Sequence, residues 1–254
     1  MDEPQLRIYL AGNVALERGD VLVPETRLPG NQGRLAFALL AWERSNALST
    51  DHIADVLWDG APPASWGTAL RAIVSKLRGL LNEAGTTGTI EHAFGCYQLR
   101  LPPDTWVDIE AASSAAHDAE VALREGSLPA ANGAALVANA IARRPFLEGV
   151  DRPWVHQRRA LLRDIQVRAL SCRAEVAFAA GDHLGATGDA KRIIALEPLR
   201  EQACVILMRA HVHAGNSAEA LATFERLRAR LASELGANPS PATEAVFMDV
   251  LRAT

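Results

Sequence analysis

Three cations on one short stretch, TALRAIVSKLRGLL at residues 68–81, have the types and spacing to do chemistry. Arg71, Lys76 and Arg78 come at helical intervals, and acidic residues are absent from Gly60 to Asn82. At about 100° per residue, Leu70, Val74, Leu77 and Leu81 share one arc, widened by Ile73. Thr68, Arg71, Ser75, Arg78 and Asn82 share the opposite arc, with Lys76 at its border and the small Ala72 and Gly79 beside it. A helix so divided presses one face on a core and holds a slim cationic face outward. Guanidinium and ammonium groups donate to phosphate oxygens and to guanine edges, and the B-DNA major groove admits one helix. The same pattern also describes an ordinary solvated surface helix. A helix lying on a membrane is disfavoured, because the apolar arc is needed for the core of a domain of only about a hundred residues. The surrounding elements must decide.

Other constellations carry less. His211 and His213 are two apart, so on a helix they face away from each other and chelate poorly. GDHLGATGDAK is glycine-rich but lacks the Gly-Lys-Ser/Thr end of a phosphate loop and follows a helix, so it reads as a repeat turn. Cys96, Cys172 and Cys204 form no Cys-x-x-Cys pair and are odd in number, which argues against disulfides and zinc and for small buried hydrophobes. His117, His156 and His183 are scattered, with no Ser or Cys beside a base in a triad pattern. No catalytic residue, metal or cofactor is expected.

The whole chain bounds these readings. Its 254 residues suit one large or two ordinary domains, and 49% hydrophobic with 22% charged residues is the balance of a soluble globular protein. No apolar run reaches the length of a membrane span, and MDEPQLRIYL lacks a basic start and an apolar block, so a cytoplasmic protein is expected. The net charge is −4, and residues 1–105 hold nine Lys/Arg against twelve Asp/Glu, a balance of −3. Bulk charge therefore speaks against a polyanion partner, whereas a local basic stripe acts within a Debye length.

The chain changes character near residue 104. LRIYLAGNVAL alternates as a strand, a Gly12-Asn13 turn and a returning strand, and VLVP at 21–24 is a third strand. QGRLAFALLAWERS predicts a helix over 32–45, and Ser49 or Thr50 caps a second over Asp51–Trp58. The prolines of GAPPAS form a loop, Ser65 caps the third helix, and TIEHAF and CYQLRL form a hairpin about Gly95. Strands, three helices and a hairpin make a winged helix-turn-helix. Beyond Pro102-Pro103 helices are predicted over 108–125, 128–143, 154–180, 183–196, 200–214, 217–235 and 240–252. Gly181 and Gly215 lie 34 residues apart, the tetratricopeptide period, each followed by an Ala at the packing position, Ala186 and Ala220. A degenerate copy surrounds Gly126, and Pro198 falls where such a repeat ends. The fold class is mainly α, an α+β winged helix-turn-helix over 1–104 and an all-α repeat domain over 105–254.

These residues resemble a family. STDHIADVLW, the APPA loop and AL-x-x-x-V-SKLR-x-LL are similar to the OmpR-like winged helix of the antibiotic-regulatory (SARP) activators, and GCYQL to its wing. EPLREQACVILMRAHVHAGNSAEALATFERLRARLASELGANPSPATEAVF resembles the bacterial transcriptional activator domain that follows it in those proteins. The resemblance covers nearly the whole chain. It implies a transcription regulator that binds direct repeats in promoter DNA and recruits RNA polymerase; the scarcity of cations predicts modest binding as a monomer and a gain from dimerisation or tandem sites. It places Arg71, Ser75, Lys76 and Arg78 on the recognition helix with Thr68 near its start. It sends the wing, His92 to Tyr97, to the adjacent minor groove or backbone, and makes Trp58, Leu70, Val74 and Leu77 core. The chain departs from the family at Gly67, where a basic or polar residue is usual, and at His92, where an Arg is usual. Fewer cations mean less counterion release. The alternative is a protein-interaction module with weak or lost DNA binding. Arg158, Arg159, Arg163 and Arg168 form either a solvated helix face paired with acids or a surface that docks on the first domain or on polymerase. The chain ends soon after the repeats, so no sensor or ATPase domain is expected.

Overall fold

The computed structural model describes residues 4–252. In chain order it contains β1 (Leu6–Tyr9), β2 (Ala15–Arg18), β3 (Val21–Val23), α1 (Gly30–Trp42), β4 (Leu48–Ser49), α2 (Thr50–Trp58) and α3 (Trp66–Glu83). There follow β5 (Thr89–Ala93), β6 (Cys96–Arg100), β7 (Trp106–Val107), α4 (Asp108–Arg124), α5 (Leu128–Ala142) and α6 (Pro153–Ala179). The chain closes with α7 (His183–Leu196), α8 (Glu201–His213), α9 (Ser217–Leu235) and α10 (Pro241–Arg252). The fold is mainly α with a small N-terminal β portion, as the periodicity predicts. Among the described residues, no helix is long and apolar enough to cross a membrane. Two compact units form, residues 1–111 with 141–162, and residues 112–140 with 163–254. The sequence reading expects one boundary after residue 104, whereas the compact units follow packing and residues 141–162 join the first.

In the first unit, a sheet of order β3-β2-β1-β7 is antiparallel except for the parallel pair β1–β7, and a second has the order β4-β6-β5. Leu6 and Ile8 of β1 face inward and Arg7 outward, the expected alternation. Helix α1 is apolar on all sides from Leu35 to Ala41, so it is enclosed, packed by α2, α3 and β6. Gly33 is required there, because a Cβ would stand 2.2 Å from the Pro29 ring. The Ser49 hydroxyl accepts from the His52 amide at 3.1 Å and caps α2. Ser65 stands at the start of α3 without a side-chain cap bond, contrary to expectation. Its own carbonyl accepts from Thr68 and Ala69 instead.

Asp108 opens α4 and is fully buried. Its Oδ1 accepts from the amides of Leu10 at 2.9 Å and Ile109 at 2.8 Å, and Oδ2 from that of Ala11 at 3.0 Å. Burial pushes the carboxyl above its ordinary pKa, opposed by the three amides and by Arg144. Beside this anchor the Gly12 amide donates to the Pro145 carbonyl at 2.7 Å, and Ala11 bridges Phe146. Phe146 and Trp154, both buried, meet Trp42 edge-on at 5.3 and 6.2 Å. The Arg158 guanidinium lies 5.4 Å from the Trp42 ring and 5.1 Å from that of Trp154, and pairs with Glu43. Arg159 donates to the carbonyls of Phe146, Leu147 and Val150. These bonds and the burial of its side chain hold Leu147 at φ 46°, a left-handed conformation unfavourable for Leu. Arg158 and Arg159 therefore dock within the first unit and are not a solvated face.

In the second unit, the helix–helix turns repeat one capping pattern. The amide after each turn glycine reaches back five residues: Ser127 to Ala122, Asp182 to Ala177 and Asn216 to His211. Gly181 and Gly215 sit at φ 78° and 72°, where L side chains are strained, which accounts for a glycine at each of these two turns 34 residues apart. Ala186 and Ala220 are wholly buried, in clusters with Leu207 and with Phe224. Arg168 grips Glu120 through two bonds of 2.6 and 2.8 Å, and the Arg168 guanidinium holds that carboxyl below its ordinary pKa. Cys172 and Cys204 are buried, their thiols pushed up to about 11 by burial. His213 stacks on His183 at 4.5 Å, and no group of three or more His, Cys, Asp or Glu among the described residues could hold a metal.

Replacing Asp108 by Asn sets an amide NH2 against a backbone donor in a buried site. A loss of about 1–3 kcal/mol is expected, read as a lower urea midpoint at unchanged slope. An unchanged midpoint contradicts the anchoring role.

Candidate nucleic-acid interface

Helix α3 is positioned by its buried face, Leu70, Ile73, Val74, Leu77, Leu80 and Leu81, packed on α1 and α2. Its far end is fixed from outside: Arg27 pairs with Glu83 at 2.8 Å, and Arg18 donates to the Gly85 carbonyl. What remains exposed is a stripe of Thr68, Arg71, Ala72, Ser75, Lys76, Gly79 and Asn82. The stripe runs about 21 Å at 1.5 Å per residue. Nothing stands within 4 Å of a Cβ added at Gly79, so a flat surface can approach the backbone there. Arg71 Nη2 donates to Thr68 Oγ1 at 3.1 Å, which orients the guanidinium along the helix. Neither Arg71 nor Lys76 forms an ion pair among the described residues.

Arg78 departs from its expected place. It is half-buried, and its Nε and Nη2 both donate to the Ile90 carbonyl, at 2.8 and 2.5 Å. It clamps β5 to α3 and so positions the hairpin, leaving two of the three cations on the outward face. Residues β5 and β6 pair in register from Thr89–Arg100 to Ala93–Cys96, and β4 joins β6 through Ser49–Cys96. The Thr50 amide donates to the Gly95 carbonyl at 2.9 Å and ties the hairpin tip to α2.

Tyr97 is also corrected. It points inward with Leu99 and is only 5% exposed, so it belongs to the core and not to the contact face. Its ring supports that of His92, 4.4 Å away, and His92 remains exposed as expected. Trp58, expected in the core, is half-buried, whereas Leu70, Val74 and Leu77 are buried. Glu91, on the same hairpin, pairs with Arg100 at 3.1 Å between side chains that are both more than half exposed.

One exposed group was not singled out by the sequence reading. Phe94 at the hairpin tip is fully exposed, and with Gly95 it forms a two-residue turn with both φ angles positive, 50° and 73°. The Phe-Gly pair between two β-prone runs was the available signal. The interface thus combines a polar helix face carrying two unspent cations with a hairpin whose tip is an aromatic ring.

Residues 107–251 match the family model described as "Bacterial transcriptional activator domain". The chain is 29% identical over 230 residues to the regulatory protein AfsR of Streptomyces coelicolor, covering 90% of this chain but 23% of AfsR. It is 27% identical to the regulatory protein DnrI of Streptomyces peucetius, covering 94% of this chain and 89% of DnrI. Among solved structures, EmbR of Mycobacterium tuberculosis, solved in complex with a low-affinity phosphopeptide, superposes with a TM-score of 0.85 at 24% identity. That match covers 98% of this chain and 66% of EmbR, and shows a shared fold. The chain spans about a quarter of the AfsR relative's length.

Arg78→Ala frees the Ile90 carbonyl and unclamps the hairpin. Hydrogen exchange is expected to accelerate in β5 and β6 with α1 unchanged. Unaltered exchange there excludes a positioning role for Arg78.

Proposed function

This chain belongs to the bacterial transcriptional activator domain family, and on that premise we propose that it binds double-stranded promoter DNA through α3. The relatives it matches are named regulatory proteins, which supports reading this chain as a transcription regulator of the SARP type. The observation that carries the reading is the outward stripe of α3, where Arg71 and Lys76 stand beside the hairpin without carboxylate partners among the described residues.

In this reading α3 enters the major groove. Arg71, oriented by Thr68, and Lys76 donate to phosphates or guanine edges, Ser75 adds a hydroxyl, and the small Ala72 and Gly79 let the backbone come close. His92 and Phe94 reach the neighbouring backbone or minor groove, where apolar side chains wedge against base steps. Arg78 and Tyr97 act through the hairpin they hold. Residues 1–104 bind DNA and residues 105–254 recruit RNA polymerase at direct repeats, at the nucleoid in the cytoplasm. With two cations on the reading face a single copy binds modestly, and a second copy on a tandem site or in a dimer supplies the remainder.

Fluorescence anisotropy with promoter direct-repeat DNA across a salt series tests this. Arg71→Ala and Lys76→Ala are each expected to weaken binding and to flatten the log K against log[salt] slope by about 0.9. Phe94→Ala is expected to weaken binding several-fold with the slope preserved. Absence of salt-dependent binding by the parent chain overturns the proposal in favour of a protein-interaction module of the same fold.

A further inference from the structure

The second unit contains a groove that DNA recognition leaves unused. It has a volume of about 870 Å³ and lies among α7, α8 and α9. Its floor includes Ile194, Leu207 and Leu227, and its sides carry Lys191 from α7 and Arg226 and Arg230 from α9. Glu219 is the one acidic residue that lines it. In a chain of net charge −4 this is a local positive trough over an apolar base.

The cations are available. Lys191 is exposed and forms no ion pair among the described residues. Arg226 pairs with Glu219 at 3.5 Å and Arg230 with Glu234 at 3.2 Å, in each case between side chains about half exposed or more. Surface pairs of this kind are worth about 0–1 kcal/mol and leave most guanidinium donors for another acceptor. The His211 imidazole on this wall is held below its ordinary pKa by burial first and then by the charge of Lys191, opposed by Glu219 and reinforced by Arg226.

Length selects the kind of ligand. The wall supplied by α9 runs from Glu219 to Ser233, about 21 Å at 1.5 Å per residue. That matches about six residues of extended chain at 3.3 Å each, and exceeds what a compact metabolite spans. We infer that this groove binds an extended acidic segment of a partner protein, its carboxylates on Arg226, Arg230 and Lys191 and its apolar side chains on Leu207 and Leu227. Arg226 and Arg230 are one helical turn apart, so carboxylates two residues apart on an extended strand meet them in succession. This surface is independent of α3, so the inference and the DNA-binding proposal fail separately.

The test is fluorescence polarisation on the full chain with a fluorescein-labelled heptapeptide of alternating glutamate and leucine. An alternating glutamine and leucine peptide is the neutral control. The acidic peptide is expected to bind and the neutral one to bind about tenfold or more weaker. Arg226→Gln and Arg230→Gln each reduce affinity about fivefold or more, because each removes a charge-assisted contact. Ala229→Trp, which fills the groove without changing charge, abolishes binding. Arg228→Gln, the same charge change on α9 outside the groove, leaves it intact. Thermal unfolding of each variant at the parent's midpoint excludes misfolding as the cause. No binding of the acidic peptide, equal loss in Arg228→Gln, retained binding in Ala229→Trp, or displacement by millimolar succinate each overturns the inference.

Discussion

The Asp108 carboxylate is the bond on which the first unit is organised. Its two oxygens take the amides of Leu10, Ala11 and Ile109 in a site closed to water. Left unpaired there, each amide would cost about 1–3 kcal/mol. With them paired, the strand that opens the chain is joined to the helix that begins a hundred residues later. The short parallel match of β7 to β1 follows, and the segment after α5 is drawn in through Gly12–Pro145 and Ala11–Phe146. That segment delivers Phe146, Trp154 and Arg158 to Trp42, on the helix against which α2 and α3 pack. The reading helix therefore rests on a core that the N-terminal residues alone do not complete.

Electrostatics in this unit is a matter of allocation. Arg34 is held by Glu25, Arg44 by Glu110, Arg27 by Glu83 and Arg100 by Glu91, while Arg78 serves a carbonyl. The balance of −3 over residues 1–105 thus says little about the surface that matters. Arg27, Arg34, Arg44 and Arg100 each meet a carboxylate within a distance shorter than the screening length of about 8 Å at physiological salt. Arg71 and Lys76 on α3 have no such partner among the described residues.

Much of this was legible from local patterns. Helix positions followed from apolar periodicity and from Gly and Pro punctuation, and α7 and α9 fall on the residues that the spacing predicts. Two of the misses, Arg78 and the Arg158–Glu43 pair, arise because a helical wheel knows nothing of distant neighbours, whereas Tyr97 and Ser65 were misplaced against signals that were local. Arg78 falls on the polar arc of α3, yet the wheel does not contain the Ile90 carbonyl. Tyr97 alternates with Leu99 in β6, and that alternation already placed it inward. The Arg158–Glu43 pair joins residues 115 apart, beyond the reach of any local rule. Ser65 was read by residue type, while the backbone of the preceding loop already satisfied the helix end.

Phe94 has a consequence for how the sequence is maintained. A left-handed conformation costs an L residue about 1–2 kcal/mol relative to glycine, and an exposed ring recovers none of it by burial. Every folded copy carries that penalty whether or not anything is bound. Under selection for stability alone, drift at this site runs toward Gly or Asn. The chain thus forgoes about 1–2 kcal/mol of turn stability at the hairpin tip and in return presents an aromatic ring wholly to solvent, so the tip is the part of the fold whose stability is given over to what lies outside the molecule.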